Sequence, residues 1–480
     1  MGVLRSIAFC LLLTLLILPD AFGSGFTYEG LGVKARGMGG AFRALADDWS
    51  AAYYNPAGYN RIKDNYLAAN VAFFHNRYSV EPNVTWNGYE SGFYNGREIY
   101  NKHEIINVPQ GAVMARLPIW GETVFGLSAM QLFDQNQSWE LYHILPGFSW
   151  TNVGHKQFHN NLDVVAFQLT AAKGFMEERL SVGLGLALLR GDLIYTDLVL
   201  RDNPMAAPIN ARPYDKIPEW YNADGRGWGF GYRAGLLYKV NDKIDVGLVY
   251  TGKTSIDISG ETDFQFYIPE DTTLARNYFD TTEERYFING EVEYVNSDFE
   301  TTIDLPASIA GGVAMRPTEK LTLALDAEFT FWSQFEGFDF AFSNYIGLPH
   351  SRLVHAQAMM TTDMKVPISW DDAASAMLGA NYQMNDFFDI RGGFGIDQSP
   401  MKEETLIPQF IDLGTKYSYS IGVGFDVNFW HLDLATTYTH QPGLDVPTVS
   451  DVDGDGLMDN LAGYYKADNY QTVLGISYRF

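Results

Sequence analysis

The chain has 480 residues and a formal net charge of −25, from 33 basic and 58 acidic residues. This balance argues against a nucleic-acid partner, since phosphate binding needs clustered Lys and Arg. Aromatic residues form 15% of the chain. Such a content suits strands and membrane interfaces, where an amphipathic ring lies half in lipid and half in water.

The N-terminus has the pattern of a secretory signal peptide over residues 1–23. Arg5 gives it a positive start, residues 7–18 form an apolar run, and residues 21–23 form a small-x-small cleavage site. The apolar run is too short to cross a bilayer as a helix. The only cysteine, Cys10, lies inside this run, so the mature chain has no thiol for a disulfide or a metal site. We therefore predict that the protein is exported.

Residues 24–62 differ from the rest of the chain because they neither alternate nor form a long helical stripe. Small residues are frequent from Gly37 to Ala52, which allows tight folding in a confined space. Pro56 should end any short helix by Asn55. We expect a compact, tightly folded segment.

Beyond residue 62 the chain alternates between apolar and polar residues. No stretch of about 20 apolar residues occurs there, which excludes a helical membrane protein after the signal peptide. In residues 417–429 the odd positions are apolar or aromatic and the even positions are polar or glycine. Residues 321–331 and 430–438 repeat this pattern. We therefore predict β-strands with one apolar face.

The connections between these strands alternate between short and long. Short turns are predicted at residues 120–122, 176–178, 241–243, 317–319, 384–386 and 429–430. Long polar and aromatic loops are predicted at roughly 81–103, 134–158, 200–226, 267–298, 336–372, 398–416 and 443–469. This order is typical of an outer-membrane barrel, whose turns face the periplasm and whose loops face outside. We therefore predict an all-β fold, a transmembrane antiparallel β-barrel of about 14 strands over residues 63–480.

The last predicted strand ends on an aromatic residue. Residues 470–480 alternate and finish at Phe480, which resembles the signal read by the bacterial outer-membrane assembly machinery. We therefore expect this machinery as a partner during biogenesis, and outer-membrane lipids and lipopolysaccharide around a monomeric barrel. A buried C-terminal strand of a soluble β-domain is the alternative.

A barrel of this width has a lumen that the side chains of its wall cannot fill, so the lumen holds water or another part of the chain. Several predicted inward positions are glycines, which let another backbone approach closely. They are Gly183, Gly185, Gly229, Gly231, Gly393, Gly395, Gly422 and Gly424. We therefore predict that residues 24–62 fold inside the barrel as a plug, or hatch.

Three motifs of this segment are more specific than its composition. They are Gly37-Met38-Gly39-Gly40-Ala41, Ala46-Asp47-Asp48 and Asn55-Pro56-Ala57-Gly58. Together they resemble the N-terminal hatch of the FadL/TodX family of outer-membrane transporters for long-chain fatty acids and aromatic hydrocarbons. The stretches 227–238 (GWGFGYRAGLLY), 304–317 (DLPASIAGGVAMRP) and 329–335 (FTFWSQF) are similar to strands of that family.

The resemblance implies a bacterial outer-membrane protein that takes up hydrophobic small molecules passively, without a cofactor or an energy source. Its hatch residues would include Gly39, Gly40, Asp47, Asp48, Asn55, Pro56 and Ala57. In the family, ligands land on external loops, enter a pocket above the hatch and leave sideways through a gap in the barrel wall. The polar residues 134–136, after the predicted third strand, are a suggestion for the position of that gap.

External loops 200–226 and 267–298 match those that form the family's ligand groove. Their apolar residues include Trp220, Tyr221, Phe279 and Phe287. Apolar side chains on exposed loops need a partner, which is either a ligand or the loops themselves packed as a lid. We name these four residues as candidate ligand contacts.

A fatty acid also needs a cation, because an unpaired carboxylate in a dry pocket is costly. Arg190 and Arg233 are the candidates, since alternation is taken to place both inward near the 200–226 loop. Arg391 is expected to form a luminal ion pair with the nearby Asp389 and Asp397 instead.

The last long loop contains the beginning of a calcium-binding pattern. Asp451, Asp453, Asp455 and Asp459 take positions 1, 3, 5 and 9, and Gly456 takes position 6. Position 12 is Ala462, where a bidentate Glu is expected. The sequence leaves two interpretations open, a weak or differently completed calcium site and a solvated acidic turn.

The sequence also bears on two other classes of function, an enzyme and a secretion component. No GxSxG, HExxH or paired-Cys motif occurs, and luminal hydrogen bonding explains His431 with Asp433, so we expect no enzyme. A FadL-like barrel also resembles a component of a bacterial secretion system that holds cargo protein at the cell surface. A continuous apolar pocket between loops and hatch would favour the transporter, whereas an open lumen would favour the secretion component.

Overall fold

The computed structural model describes residues 31–83, 95–102, 106–141, 156–202, 216–267, 292–346 and 363–480. Within these ranges 14 antiparallel strands form a closed barrel, as predicted. The strands are β1 (Tyr66–Pro82), β2 (Ile106–Leu117), β3 (Thr123–Trp139), β4 (Phe158–Phe175), β5 (Leu180–Asp202), β6 (Lys216–Asn241), β7 (Ile244–Thr251 and Thr254–Tyr267), β8 (Val292–Leu305 and Ser308–Met315), β9 (Leu321–Thr330 and Gly337–Ile346), β10 (Met364–Pro367 and Ala373–Asn385), β11 (Phe388–Gln398), β12 (Thr415–Val427), β13 (Trp430–Val446) and β14 (Gly463–Arg479). The two-residue strand Ile99–Tyr100 adds to β1 ahead of β2.

The barrel closes because the first and last strands pair along their whole length. Tyr66 lies opposite Arg479, and Pro82 lies opposite Gly463. All six predicted turns occur between consecutive strands at the predicted positions. Within the described residues no helix is both long and apolar enough to span a bilayer.

Several strands extend further into the predicted loops than the sequence indicated. β3 continues through residues 134–136, and β6 begins at Lys216, so that Trp220 and Tyr221 lie in a strand and not in an external loop. The second segment of β9 lies inside the predicted 336–372 loop. The predicted loop boundaries were wrong because these strands continue beyond the membrane with polar residues on their outward face. The sequence analysis had interpreted such polar residues as loop.

The outer surface of the barrel has two zones. In the first, called the lipid-facing belt, outward positions are large and apolar, as with Val182, Leu184, Leu186 and Leu188 on β5. This is the outward surface that a transmembrane barrel presents to lipid. The second zone, called the upper wall, consists of the second segments of β7 and β9 and the first segments of β8 and β10.

The upper wall reverses the polarity of the belt. On β7 its outward positions are Ser255, Asp257, Ser259, Glu261 and Asp263, which are exposed, and its inward positions include the buried Ile256, Ile258 and Phe264. A wall with a polar outside and an apolar inside is a wall in water. The upper wall therefore stands above the membrane.

The backbone hydrogen bonding of the wall is interrupted on two sides of the barrel. On one side, β7, β8, β9 and β10 each divide into two segments, at 252–253, 306–307, 331–336 and 368–372. On another side of the barrel, β3 pairs with β2 only from Thr123 to Ala129. Beyond that point β3 bulges between Gln131 and Phe133 and, within the described residues, pairs only with β4.

Residues 31–62 lie inside the barrel and are called the luminal segment. They form α1 (Val33–Gly37), α2 (Ala51–Tyr54) and a 3-10 helix (Pro56–Arg61). α2 ends directly before Asn55, whose side-chain oxygen accepts a hydrogen bond from the Ala57 amide at 3.1 Å. Pro56 therefore ends α2 where the sequence predicted.

Candidate functional site

The luminal segment is held by a buried carboxylate of the wall. Asp326, on an inward position of β9, accepts hydrogen bonds from the backbone amides of Phe42 and Arg43 at 2.6 and 2.7 Å. The Arg43 guanidinium makes an ion pair with Glu328, two residues further along β9. Asn55 of the luminal segment adds a second contact with the wall. Its side-chain amide donates to the carbonyl of Arg43 in the same segment at 2.9 Å and to the carbonyl of Leu236 on β6 at 3.0 Å.

Glycines on the wall bring the luminal segment into backbone contact. A Cβ on Gly393 would lie 2.1 Å from the amide nitrogen of Gly39, and a Cβ on Gly183 would lie 2.2 Å from that of Ala57. Gly422 approaches Gly37 in the same way, which confirms three of the predicted inward glycines. Gly229 instead meets Ser255 and Ile256 of β7, and Gly231 meets Thr254 of β7 and Leu189 of β5. The prediction missed further wall glycines that contact the segment: Gly235, Gly247 and Gly379.

The predicted hatch residues Asp47 and Asp48 act within the luminal segment. Asp47 makes an ion pair with Lys34 at 2.8 Å. Asp48 accepts hydrogen bonds from the amide and the hydroxyl of Ser50 at 2.8 and 2.6 Å. Gly39 and Gly40 have φ values of 66° and 84°, which favour glycine.

A cavity of about 90 Å³ lies directly above the luminal segment. Tyr53 of α2 forms part of its floor, beside Gln168, Arg233 and Glu328 of the wall. Its sides are mainly apolar, with contributions from β3, β4, β5, β8 and the 331–336 break: Leu132, Phe133, Ala166, Leu189, Leu305 and Trp332. The cavity thus combines an apolar body with a charged and polar floor, as ligand sites commonly do.

Arg233 takes an inward position, as the alternation predicted, and lies on this floor. Its guanidinium carbon is 4.3 Å from the centre of the Tyr53 ring, close enough for a cation–π contact. Its Nε donates to the Thr251 hydroxyl at 2.9 Å. Glu328 is the carboxylate on the same floor, but it is already bound to Arg43.

Arg190 does not lie in the lumen, so that prediction was wrong. The inward positions of β5 are odd-numbered, from Ser181 to Leu189, and Arg190 follows on the outward side. There it makes an ion pair with Asp192 at 2.9 Å. The sequence had placed Gly183 and Gly185 inward. Continuing the alternation from these odd-numbered positions would have placed Arg190 outward.

The candidate ligand contacts Trp220 and Tyr221 lie on opposite faces of β6. Trp220 donates from its indole nitrogen to the carbonyl of Lys156 at 2.9 Å. Tyr221 is fully buried, with ring centres 5.9 Å from Tyr195 and 6.2 Å from Phe264. Phe279 and Phe287 lie outside the described residues.

Tyr221 belongs to an aromatic cluster that fills the inside of the upper wall. Phe338, Phe340 and Phe342 are inward on β9 and stack in succession, with ring centres 5.9 and 6.2 Å apart. Phe410, from the 399–414 loop, stacks on Phe338 at 5.5 Å. This loop is buried from residue 405 to 413, so part of the predicted external loop lies inside the barrel mouth.

Several other luminal charges form ion pairs. Arg391 binds Asp389 and Asp433, each at 2.6 Å. Asp397, which was predicted as its partner, binds Lys416 at 3.2 Å instead. His431 lies between Asp426 and Asp433 at 2.9 and 3.0 Å, which agrees with the interpretation of luminal hydrogen bonding.

The acidic loop brings three of its four predicted calcium ligands together. Carboxylate oxygens of Asp451, Asp453 and Asp459 lie within 4.8 Å of one another. The Asp455 carboxylate accepts from the Leu457 amide at 2.7 Å. Burial raises the pKa of Asp459 to about 6, and the charges of the neighbouring aspartates act in the same direction. Oxygen ligands of this kind suit Ca²⁺.

A closed antiparallel barrel with a lipid-facing belt, an occupied lumen and an apolar cavity defines an outer-membrane channel of the plugged type. The chain belongs to the family described as outer membrane protein transport protein (OMPP1/FadL/TodX), which matches residues 20–480. The protein is therefore a member of a family of outer-membrane transporters of hydrophobic compounds, and its location is the outer membrane.

Solved structures of the family show the same fold at low sequence identity. A FadL homologue from Pseudomonas aeruginosa has a TM-score of 0.73 at 16% identity, over 95% of this chain and 100% of the other. The toluene transporter TodX from P. putida has a TM-score of 0.68 at 17% identity, over 94% of this chain and 99% of the other.

The curated relatives match over different lengths. Outer membrane protein P1 of Haemophilus influenzae is 20% identical over 88% of this chain and 89% of its own. The long-chain fatty acid transport protein of Salmonella typhi is 23% identical over 49% of each chain. The matches cover only about half of several relatives, including 54% of an outer membrane protein from Neisseria meningitidis and 49% of the 47 kDa outer membrane protein of Pasteurella multocida.

Proposed function

We propose that this barrel takes up hydrophobic small molecules across the outer membrane passively, with long-chain fatty acids and aromatic hydrocarbons as candidate ligands. The observation that carries the proposal is the apolar cavity above the luminal segment, with Arg233 on its floor. Relatives in the family are named for long-chain fatty acid transport and toluene transport, which supports this class of ligand.

The luminal segment is proposed to act as the hatch that closes this route. Buried contacts attach this segment to the wall. Asp326 and Glu328 of the wall bind residues 42–43, and Asn55 of the segment binds the carbonyl of Leu236. For a ligand to pass below the cavity, these contacts must rearrange. Lateral release avoids that requirement, and the unpaired stretch of β3 beyond Ala129 supports an opening toward β2.

Arg233 is proposed to hold an acidic head group. A guanidinium donates to both oxygens of a carboxylate, and Arg233 already lines the cavity beside apolar side chains. A neutral aromatic ligand would not need this contact. The effect of removing Arg233 therefore separates the two candidate ligand classes.

The alternative, a secretion component that holds cargo protein, has less support. Such a protein needs an external surface that binds cargo protein, whereas here the aromatic cluster of the upper wall points inward. An apolar cavity above the luminal segment is the feature that, in the sequence analysis, favours a transporter. No sequence motif of an enzyme accompanies it.

The test is native mass spectrometry with lipid extraction on the barrel purified in mild detergent. We expect retained fatty acids or aromatic compounds in the wild type, and loss of the acidic ligands alone in Arg233→Ala. Arg190→Ala is the matched control, because Arg190 lies on the outer surface. A wild-type barrel that carries a secreted protein and no hydrophobic compound would contradict the proposal.

A further inference from the structure

Two pairs of aromatic residues mark the edges of the lipid-facing belt on β13 and β14. Near the lower ends of these strands Trp430 lies opposite Tyr478, with ring centres 4.7 Å apart. Higher up, Tyr438 lies opposite Tyr470, with ring centres 5.0 Å apart. Exposed apolar residues lie between the two pairs: Leu432, Leu434, Leu474 and Ile476.

The distance between these pairs fits the thickness of a bilayer core. From Trp430 to Tyr438 the strand covers roughly 26 Å, which is about 20 Å of height at the usual tilt of a barrel strand. Aromatic girdles flank the apolar band of a membrane barrel, which is about 25 Å tall. The Tyr438–Tyr470 pair therefore marks the level at which the belt meets the lipid headgroups.

Arg77 lies just above this level on the outer surface. On β1 it is exposed and lies opposite Asp468, the outward residue of β14 that follows Tyr470 toward the outside. Its guanidinium carbon is 5.1 Å from the ring centre of Tyr100 on the short added strand. This cation–π contact orients the guanidinium.

The carboxylate across from Arg77 has other partners. Asp468 accepts a hydrogen bond from the Tyr438 hydroxyl at 2.8 Å, and Nδ1 of His440 lies 2.9 Å from the same oxygen. Among the residues that the structure describes, no carboxylate forms an ion pair with Arg77. The N–H donors of Arg77 are therefore available to a partner from outside the protein.

Lys466 adds a second cation beside Arg77. It is the next outward residue of β14 toward the outside, and it lies diagonally to Arg77 on the same face, where such neighbours are about 7–8 Å apart. Its ammonium is 3.0 Å from Glu98 and 5.4 Å from the ring centre of Tyr464. Glu98 also accepts from the Tyr100 hydroxyl at 2.9 Å. Arg77, Lys466, Tyr100 and Tyr464 together are called the basic patch.

The opposite side of the barrel presents the other sign of charge above the belt. The outward, exposed residues of the upper wall there include Asp257, Glu261 and Asp263 on β7 and Glu300 on β8. An anion that approaches this side meets like charges, which are repulsive. An anionic lipid headgroup is therefore directed to the side of β1 and β14.

We propose that the basic patch docks a phosphate of lipid A, the phosphorylated lipid anchor of lipopolysaccharide. The Arg77 guanidinium donates to two phosphate oxygens, and the Lys466 ammonium adds a point charge. The acyl chains lie along the belt below Tyr470, so that the site continues the lipid-facing surface upward. The inference concerns the outer surface and does not rest on the proposed function.

The test is native mass spectrometry of the full barrel, freed of lipid in mild detergent and titrated with bis-phosphorylated lipid A. Arg77→Gln should weaken binding about tenfold, which corresponds to about 1.4 kcal/mol. Arg77→Lys should recover only part of this loss, because an ammonium lacks the two parallel donors of a guanidinium. Lys466→Gln should have a smaller effect than Arg77→Gln, since Lys466 is already paired with Glu98.

Lys365→Gln is the matched control. Lys365 is an exposed cation on the acidic side of the barrel, 4.0 Å from Asp339, and its removal takes away one charge without touching the basic patch. It should leave the affinity for lipid A unchanged. A shift in gel mobility on heating verifies that each variant is folded.

The chemistry of the lipid gives the second comparison. Lipid A without its phosphates should bind the wild type and Arg77→Gln equally weakly, and millimolar inorganic phosphate should not displace the phosphorylated lipid. Equal affinity of the folded wild type and Arg77→Gln for bis-phosphorylated lipid A would overturn the proposal. So would unchanged binding after removal of the phosphates, or complete displacement by inorganic phosphate, which would show that Arg77 holds a free anion and not a lipid.

Discussion

The lipid-facing belt and the upper wall are made from the same strands but turn opposite faces outward. On β7, Val246 and Leu248 are exposed in the belt, whereas Ser259 and Glu261 are exposed in the upper wall. In both zones the outward side chains match the medium, lipid in one case and water in the other. The break at residues 252–253 lies between the two zones, so β7 exchanges its faces where the medium changes.

The interiors of the two zones differ just as much. Inside the belt, the wall meets another backbone through glycines and holds it with a buried carboxylate. Inside the upper wall, rings of Tyr221, Phe264 and Phe340 pack on one another as in the core of a soluble protein. The lower interior is thus fixed by polar attachment and the upper interior by apolar contact, and the cavity lies between them.

The largest effect is expected from removing the attachment of the luminal segment. Asp326→Ala leaves the buried backbone amides of Phe42 and Arg43 without their acceptor, which costs about 1–3 kcal/mol for each unsatisfied group, and it leaves Glu328 as the remaining carboxylate partner of Arg43. We expect the luminal segment to leave its place, and limited proteolysis of the folded barrel should then cleave within residues 31–62. Asp47→Ala, which breaks a partly exposed pair with Lys34, should cost less than about 1 kcal/mol. Equal protection in the two variants would show that Asp326 does not hold the segment.

The difference between the two outer zones predicts the next effect. Leu248→Lys places a charge on the lipid side of the belt, which costs about 2–4 kcal/mol near the middle of the bilayer. Ser259→Lys, at an outward position higher on the same strand, should change the free energy of unfolding by no more than about 0.5 kcal/mol. Urea unfolding of the barrels in lipid vesicles measures both. If Ser259→Lys were as harmful as Leu248→Lys, the upper wall would have to lie within the membrane.

A neighbouring pair of glycines on β11 tests the close packing inside the belt. A Cβ on Gly393 would collide with the backbone of Gly39, whereas one on Gly392 would meet nothing within 4 Å. We expect Gly393→Ala to destabilise the docked segment by about 1–3 kcal/mol, the range for overpacked interiors. Gly392→Ala should be nearly neutral, and hydrogen exchange of residues 31–62 compares the two variants. Faster exchange in both, or in neither, would contradict the assigned contact.

The sequence predicted the barrel well because alternation and turn spacing are local signals. The six turns and the closure by the C-terminal strand follow from residues that lie close together in the chain. Alternation also placed Asp326 and Glu328 on the polar, luminal face of their strand. It could not show that these side chains bind the luminal segment, because that contact joins residues nearly 300 positions apart.

The errors arise where the medium changes along a strand. Residues 216–226 were assigned to a loop because their polar side chains do not fit a lipid-facing strand, although above the membrane they fit a strand well.

Calcium binding by the acidic loop stays a prediction, and its expected effect is the smallest. The raised pKa of Asp459 means that protonation favours the folded loop below the ordinary aspartate range, and that this contribution is lost as pH rises through about 6. Without calcium, the hydrogen-exchange protection factors of residues 447–462, corrected for the intrinsic exchange rate at each pH, should therefore be higher at pH 5 than at pH 7. Calcium should restore protection at pH 7 and lose affinity as pH falls through 6, since it competes with the proton on Asp459. Asp453→Asn should weaken this restoration, whereas Asp445→Asn, outside the cluster, should not. A loop whose exchange at pH 7 is the same with and without millimolar calcium would be a solvated acidic turn.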